Sequence, residues 1–112
     1  MNNELQARWG TTYHRRTIYV PHAMFQRMQA EATQAGVNLS EYARQLIMRG
    51  LSQPIDRHTP DPTGPFTDLV WVYLPPALDR RIRALAHTYQ WSLTAAARRV
   101  LAQALSQAVP HD

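Results

Sequence analysis

The chain has 112 residues, is 45% hydrophobic and carries a formal net charge of +4 from 12 basic and 8 acidic side chains. That length supports one modest domain with a small core, and the absence of cysteine excludes a disulfide frame, a thiolate zinc site and a cysteine nucleophile. No apolar run approaches membrane-spanning length, and Met1 to Gln6 lack the basic-then-apolar layout of a signal peptide, so a cytoplasmic protein without membrane contact is expected.

In chain order, residues 1–14 show no sustained period and read as a flexible N-terminal arm, with Trp9 as its one large apolar group. Arg15 to Val20 then alternates: Ile18 and Val20 fall on one face of a strand, Arg15, Thr17 and Tyr19 on the other. Pro21 stops the strand and suits the first turn of a helix. Met24, Met28, Ala32 and Ala35 recur at helical spacing, and Gly36 is the natural left-handed stop. Ser40 is the expected N-cap of a second helix, whose apolar face runs through Tyr42, Ala43, Leu46, Ile47, Gly50 and Leu51. From Gln53 to Thr67, four prolines and Gly64 forbid regular structure and predict a semi-extended linker.

The second half repeats the first at a constant offset of 54 residues. Pro21 maps onto Pro75, Ile18 and Val20 onto Val72 and Leu74, Met28 onto Ile82, Leu39-Ser40 onto Leu93-Thr94, and Ala43-Arg44 onto Ala97-Arg98. The expected organisation is repeat 1 over residues 15–52, a Pro-rich linker over 53–67 and repeat 2 over 68–109. One strand-helix-helix unit has two unpaired strand edges and too little core to fold alone. Two units solve this by pairing their strands antiparallel. The predicted fold is mainly α with a two-stranded antiparallel ribbon, the two repeats forming an intramolecular pseudo-dimer whose linker keeps them together.

Charge is partitioned along this plan. Residues 8–51 hold six arginines against Glu31 and Glu41, residues 69–109 hold five against Asp79, and the remaining parts are acidic. Each expected folded half is therefore basic, which favours an anionic partner. All the basic residues are arginine, the side chain best suited to bidentate contact with phosphate or guanine; a GC-rich coding bias accounts for that choice equally well.

The motifs Arg-Thr-Ile-Tyr-Val-Pro and Gly-Val-Asn-Leu-Ser-Glu-Tyr-Ala-Arg, with Val-Trp-Val-Tyr-Leu-Pro and Trp-Ser-Leu-Thr-Ala-Ala-Ala-Arg in the second copy, resemble the ribbon-helix-helix DNA-binding proteins of the Arc/MetJ type. The resemblance covers residues 15–51 and 69–106. Its single-chain tandem layout is similar to the relaxosome accessory proteins of conjugative plasmids, while most other members of that family are repressors or antitoxins. It implies a ribbon in the major groove of duplex DNA, with outward side chains at base edges. The expected base-contacting residues are Arg15, Thr17, Tyr19, Trp71 and Tyr73. The starts of the second helices are expected at phosphates, giving Asn38, Ser40 and Arg44 in repeat 1 and Ser92, Thr94 and Arg98 in repeat 2. Arg8 and Trp9 of the arm either touch DNA or pack on the body.

The sequence departs from the family pattern at Leu69, Trp71 and Tyr73, which are bulky where that pattern is polar. Either they meet thymine methyls and the sugar-phosphate backbone, or they pack on the arm or on another protein, or the register slips by one, which would turn Val70, Val72 and Leu74 outward. Gln90 stands where repeat 1 has Gly36, a left-handed stop without glycine. Ser40 and Thr94 serve equally as plain N-caps, and Arg44, Arg98 and Arg99 as a solvated face. His14, His22, His58, His87 and His111 lack metal-ligand spacing, so no metal or other cofactor is expected. No carboxylate pair, Ser-His arrangement or phosphate loop falls on an ordered element, so no enzymatic activity is expected. The candidate partners are double-stranded DNA, further copies of the chain on adjacent sites, and a relaxase or a toxin. A protein-interaction module, an antitoxin or relaxosome scaffold using the apolar outer face of strand 2, is the alternative. The short stretch after the last helix weighs against an antitoxin.

Overall fold

The computed structural model describes residues 13–107. The expected contacts of Arg8 and Trp9, like the tail from residue 108, lie outside them. Two strands and four helices follow one another as β1 (His14–Val20), α1 (His22–Ala35), α2 (Leu39–Leu51), β2 (Asp68–Leu74), α3 (Pro76–Tyr89) and α4 (Leu93–Gln107). The domain is mainly helical, with one two-stranded sheet in which β1 and β2 run antiparallel.

The register pairs His14 with Leu74, Arg15 with Tyr73, Thr17 with Trp71 and Tyr19 with Leu69. The alternation read from the sequence decides which face is covered. Ile18, Val20, Val72 and Leu74 are 0% exposed, and Val70 joins them. Beneath them lie Met28 and Ala32 of α1, Leu46 and Ile47 of α2, Ile82 of α3, and Val100 and Leu101 of α4, in one continuous core. A slip of one residue would turn that whole set into water, so burial of a single face fixes the register.

Both helical hairpins close through left-handed residues. Gly36 has φ +75° and Gln90 φ +62°. Val37 N–H donates to the Ala32 carbonyl and Trp91 N–H to that of Ala86, each closing the preceding helix at 3.1 and 2.9 Å. The Gln90 side chain also donates to the His87 carbonyl at 3.0 Å.

The N-caps differ from expectation. Ser40 and Thr94 lie two positions too deep. α2 is capped by Asn38, whose Oδ1 accepts from Glu41 N–H at 2.8 Å, and Ser92 Oγ accepts from Ala95 N–H at 3.1 Å at the start of α4. A cap side chain reaches the amide three positions on, and the tight αL closures at Gly36 and Gln90 leave Asn38 and Ser92 as the residues that can do so.

Between β1–α1–α2 and β2–α3–α4 the stretch 52–67 has no helix or strand, yet it is fastened to the body. Arg98 is 5% exposed and forks Asp61 at 2.7 and 2.8 Å, donates to the Tyr19 carbonyl at 3.1 Å and lies over the Phe66 ring at 3.6 Å. Arg99 donates to the Thr59 carbonyl at 2.6 Å and covers Trp91. α2 and α4 cross closely at Gly50, where a Cβ would run into the Val100 carbonyl oxygen and stand 2.8 Å from its Cγ1.

Candidate nucleic-acid interface

With one face of the ribbon buried, the other is free by the period of a strand. Arg15 is exposed and Thr17 half-buried, while Tyr19, Trp71 and Tyr73 remain 48%, 50% and 44% exposed. Leu69 is partly covered. All five expected base-contacting residues thus share one surface. Arg15 is not loose on it: its guanidinium lies 4.8 Å from the centre of the Trp71 ring, its diagonal neighbour across the strands. That contact ties the cation to the outer face of the ribbon.

The starts of α2 and α4 flank this surface. Asn38, Ser40, Glu41 and Arg44 line a groove of about 300 Å³ together with Tyr13 and Tyr73. A second hollow of about 450 Å³ joins Asn38, Leu39 and Ser40 to Phe25, Leu69 and Trp71. On the β1 side, Thr94 shares a cavity of about 210 Å³ with Arg15, Arg16, Thr17 and Asp79. Thr94 Oγ1 is buried and without a hydrogen-bond partner. Asn38, Ser40 and Thr94 are thereby brought beside the ribbon, as helix starts where amides and dipole favour an anion. Ser92 is exposed at the same end, its hydroxyl engaged in capping.

Two of the expected phosphate-contacting arginines are already engaged within the protein. Arg98 faces inward and fastens the linker, because Asp61 and the Tyr19 carbonyl take its donors. Arg44 stays at the groove but is paired with Glu41 at 2.5 Å, and the hydrogen bond from Arg44 holds the Glu41 carboxyl below its ordinary range. The 54-residue offset explains the difference. The position matching Glu41 is Ala95, so Arg98 has no partner on its own helix and takes one from the linker.

The sequence reading missed a buried ion pair on the β1 side. Asp79 is 0% exposed. Arg16 reaches it from the inner face of β1 with Nε and Nη2 at 2.7 and 2.8 Å. Arg83 stands at 3.3 Å and His14 at 4.0 Å. The hydrogen bond from Arg16 holds the Asp79 carboxyl below its ordinary value, against the opposing pull of burial. The matching positions in the opposite repeat are Val70 for Arg16 and Phe25 for Asp79. That replacement of an apolar pair by a charged one was the signal available in the sequence.

Among the described residues no group of three or more His, Asp or Glu side chains could hold a metal ion, and no helix is long and apolar enough to cross a membrane. No protein-family model, no curated protein and no solved structure matches the chain.

Proposed function

We propose that the chain is a single-chain ribbon-helix-helix pseudo-dimer that binds double-stranded DNA sequence-specifically, acting in the cytoplasm as a transcriptional repressor or as an accessory protein of a transfer origin. One observation carries this reading: a two-stranded ribbon whose inner apolar residues are buried presents Arg15, Thr17, Tyr19, Trp71 and Tyr73 outward between two helix starts. A ribbon of that width enters the major groove, where arginine reads guanine O6 and N7, threonine offers a hydroxyl and a methyl, and aromatic edges meet thymine methyls. The pseudo-dimer reading is supported by the register. Thr17 faces Trp71, its own counterpart at the 54-residue offset, and every other cross-strand pair is then matched by its mirror pair.

The test is a fluorescence-anisotropy titration of duplexes tiling the DNA upstream of the gene, and any nearby transfer origin, against scrambled duplex at two salt concentrations. Binding to one tile well above scrambled, weakening steeply with salt, is expected. Arg15→Ala and Thr17→Ala should each weaken that binding by about 1–3 kcal/mol with the fold intact. Equal weak binding to all duplexes would overturn the reading. It would favour the alternative, a protein partner seated on Trp71, Tyr73 and the Phe25–Leu69 hollow, whose apolar lining is the observation that supports it.

A further inference from the structure

The two sides of the ribbon share a backbone plan and differ in chemistry. Beside β1, Arg16 and Arg83 share the carboxylate of Asp79, Arg15 lines the same cavity and Arg80 follows Asp79 on α3, four arginines against one carboxylate and a net charge of +3. The positions 54 residues away, beside β2, are Leu69, Val70, Gln26, Gln29 and Phe25, all neutral. His14 at the end of β1 is matched by the acidic Asp68 on β2. The surplus on α3 is exposed. Arg80 and Arg83 are both open to water, with the Arg83 side chain 55% exposed. They recur with exposed His87 at helical spacing on one stripe. Arg83 is tied to Asp79, and Asp79 to Arg16 of the ribbon, so this stripe adjoins the cavity that Arg15, Thr17 and Thr94 line. The corresponding stripe on α1 carries Gln26, Gln29 and Thr33 and is uncharged.

We infer that Arg80 and Arg83 form an additional phosphate-binding shoulder on the β1 side alone, so that the protein grips its DNA asymmetrically. This rests on the DNA-binding reading above and extends it. The duplex backbone on the β1 side lies against a charge of +3, while on the β2 side it meets a neutral, partly apolar flank. The bound site therefore has a polarity: one half carries most of the electrostatic attachment, and the other relies on the apolar groups of Leu69, Trp71 and Phe25. An isolated half-site of the first kind retains most of the salt-dependent affinity.

Each arginine that neutralises a phosphate adds about 0.9 to the slope of log affinity against log salt. The probe is a short mixed-sequence duplex, titrated with full-length protein over a fourfold range of salt. Arg80→Gln/Arg83→Gln should reduce the slope by about two, making the loss of affinity over that range about twelvefold smaller. The transplant Gln26→Arg/Gln29→Arg should raise the slope by a similar amount. On the specific site selected with the wild-type protein, phosphate ethylation should interfere mainly in one half, and the transplant should even out the two halves. Arg80→Gln alone leaves Asp79 untouched and keeps the test open if the double variant unfolds. A wild-type protein without salt-dependent DNA binding would sink the DNA reading itself. Salt-dependent wild-type binding with slopes unchanged in both variant pairs, or equal interference in both halves, would overturn the shoulder alone.

Discussion

Removing one member of the Arg16–Asp79 pair should cost more stability than any other single change at the surface-to-core boundary, and the two members should not cost the same. Asp79 is fully buried, whereas the Arg16 side chain keeps about 30% of its surface in water. In Asp79→Ala the stranded guanidinium can hydrate through its open edge. In Arg16→Ala the stranded carboxylate cannot, and it keeps Arg83 at 3.3 Å and His14 at 4.0 Å, both on largely exposed side chains. Breaking a buried pair costs about 3–5 kcal/mol, so Asp79→Ala belongs near the lower end and Arg16→Ala near the upper. For a domain of this size either is a large share of a total stability of roughly 5–15 kcal/mol. The double variant Arg16→Val/Asp79→Phe installs the residues the other repeat uses at the same places, Val70 and Phe25. Replacing a buried ion pair by packed apolar groups is often neutral or stabilising, so it should return to within about 1 kcal/mol of wild type. Urea unfolding of the four proteins, followed by far-ultraviolet circular dichroism, gives the three differences from wild type. An Asp79→Ala cost below about 1 kcal/mol, or a double variant as unstable as the worse single one, would show that the pair is not buried against the core as described.

Three further outcomes follow from the same geometry. Because the folded-state value of Asp79 lies below its ordinary 3.8, its contribution is complete above that value and is lost as pH falls through the folded one. Unfolding free energy should therefore drop below about pH 4, and Asp79→Asn should flatten this acid limb, leaving the shares of Glu31, Glu41 and Asp68; an equally steep limb would contradict the assignment. Gly50→Ala gains about 1 kcal/mol of helix propensity but forces a methyl into the Val100 backbone. Overpacking costs about 1–3 kcal/mol in general and most where backbone must move, so the urea midpoint should fall, and a raised midpoint would refute the close crossing. Gln90→Gly relieves a left-handed residue at φ +62° and should raise stability by about 0.5–1 kcal/mol, whereas Gly36→Ala should lower it by a similar amount; thermal unfolding reads both.

The ribbon was legible because a strand buried on one face has only two ways to sit, and Ile18, Val20, Val72 and Leu74 allow only one of them. The helix stops were legible because Gly36 and Gln90 stand at the same place in a repeat whose apolar positions otherwise match. The caps were displaced by two residues because Asn38 and Ser40 are both good cap residues, and only the αL closure at Gly36 decides between them. Asp79 was illegible for a different reason. Its partner lies 63 residues away, and no local pattern marks a carboxylate as buried until the strand carrying Arg16 is laid across it. Arg98 and Arg44 occupy matching positions and read alike in sequence, but Glu41 stands within reach of one and Ala95 in the same place beside the other. What separates their fates is therefore a neighbour, not the residue itself.

The pairing of Thr17 with Trp71 has an evolutionary meaning. In a protein made of two identical chains, residues facing each other across such an axis are copies of one codon, and every substitution there strikes both halves of the recognition surface at once. Here the two are encoded separately, as a small hydroxyl and a large ring. Each side of the ribbon can change while the other stays fixed, so a substitution need be tolerated on one side only. A single chain that carries both halves is thus free of the symmetry that two identical chains impose on the face they share.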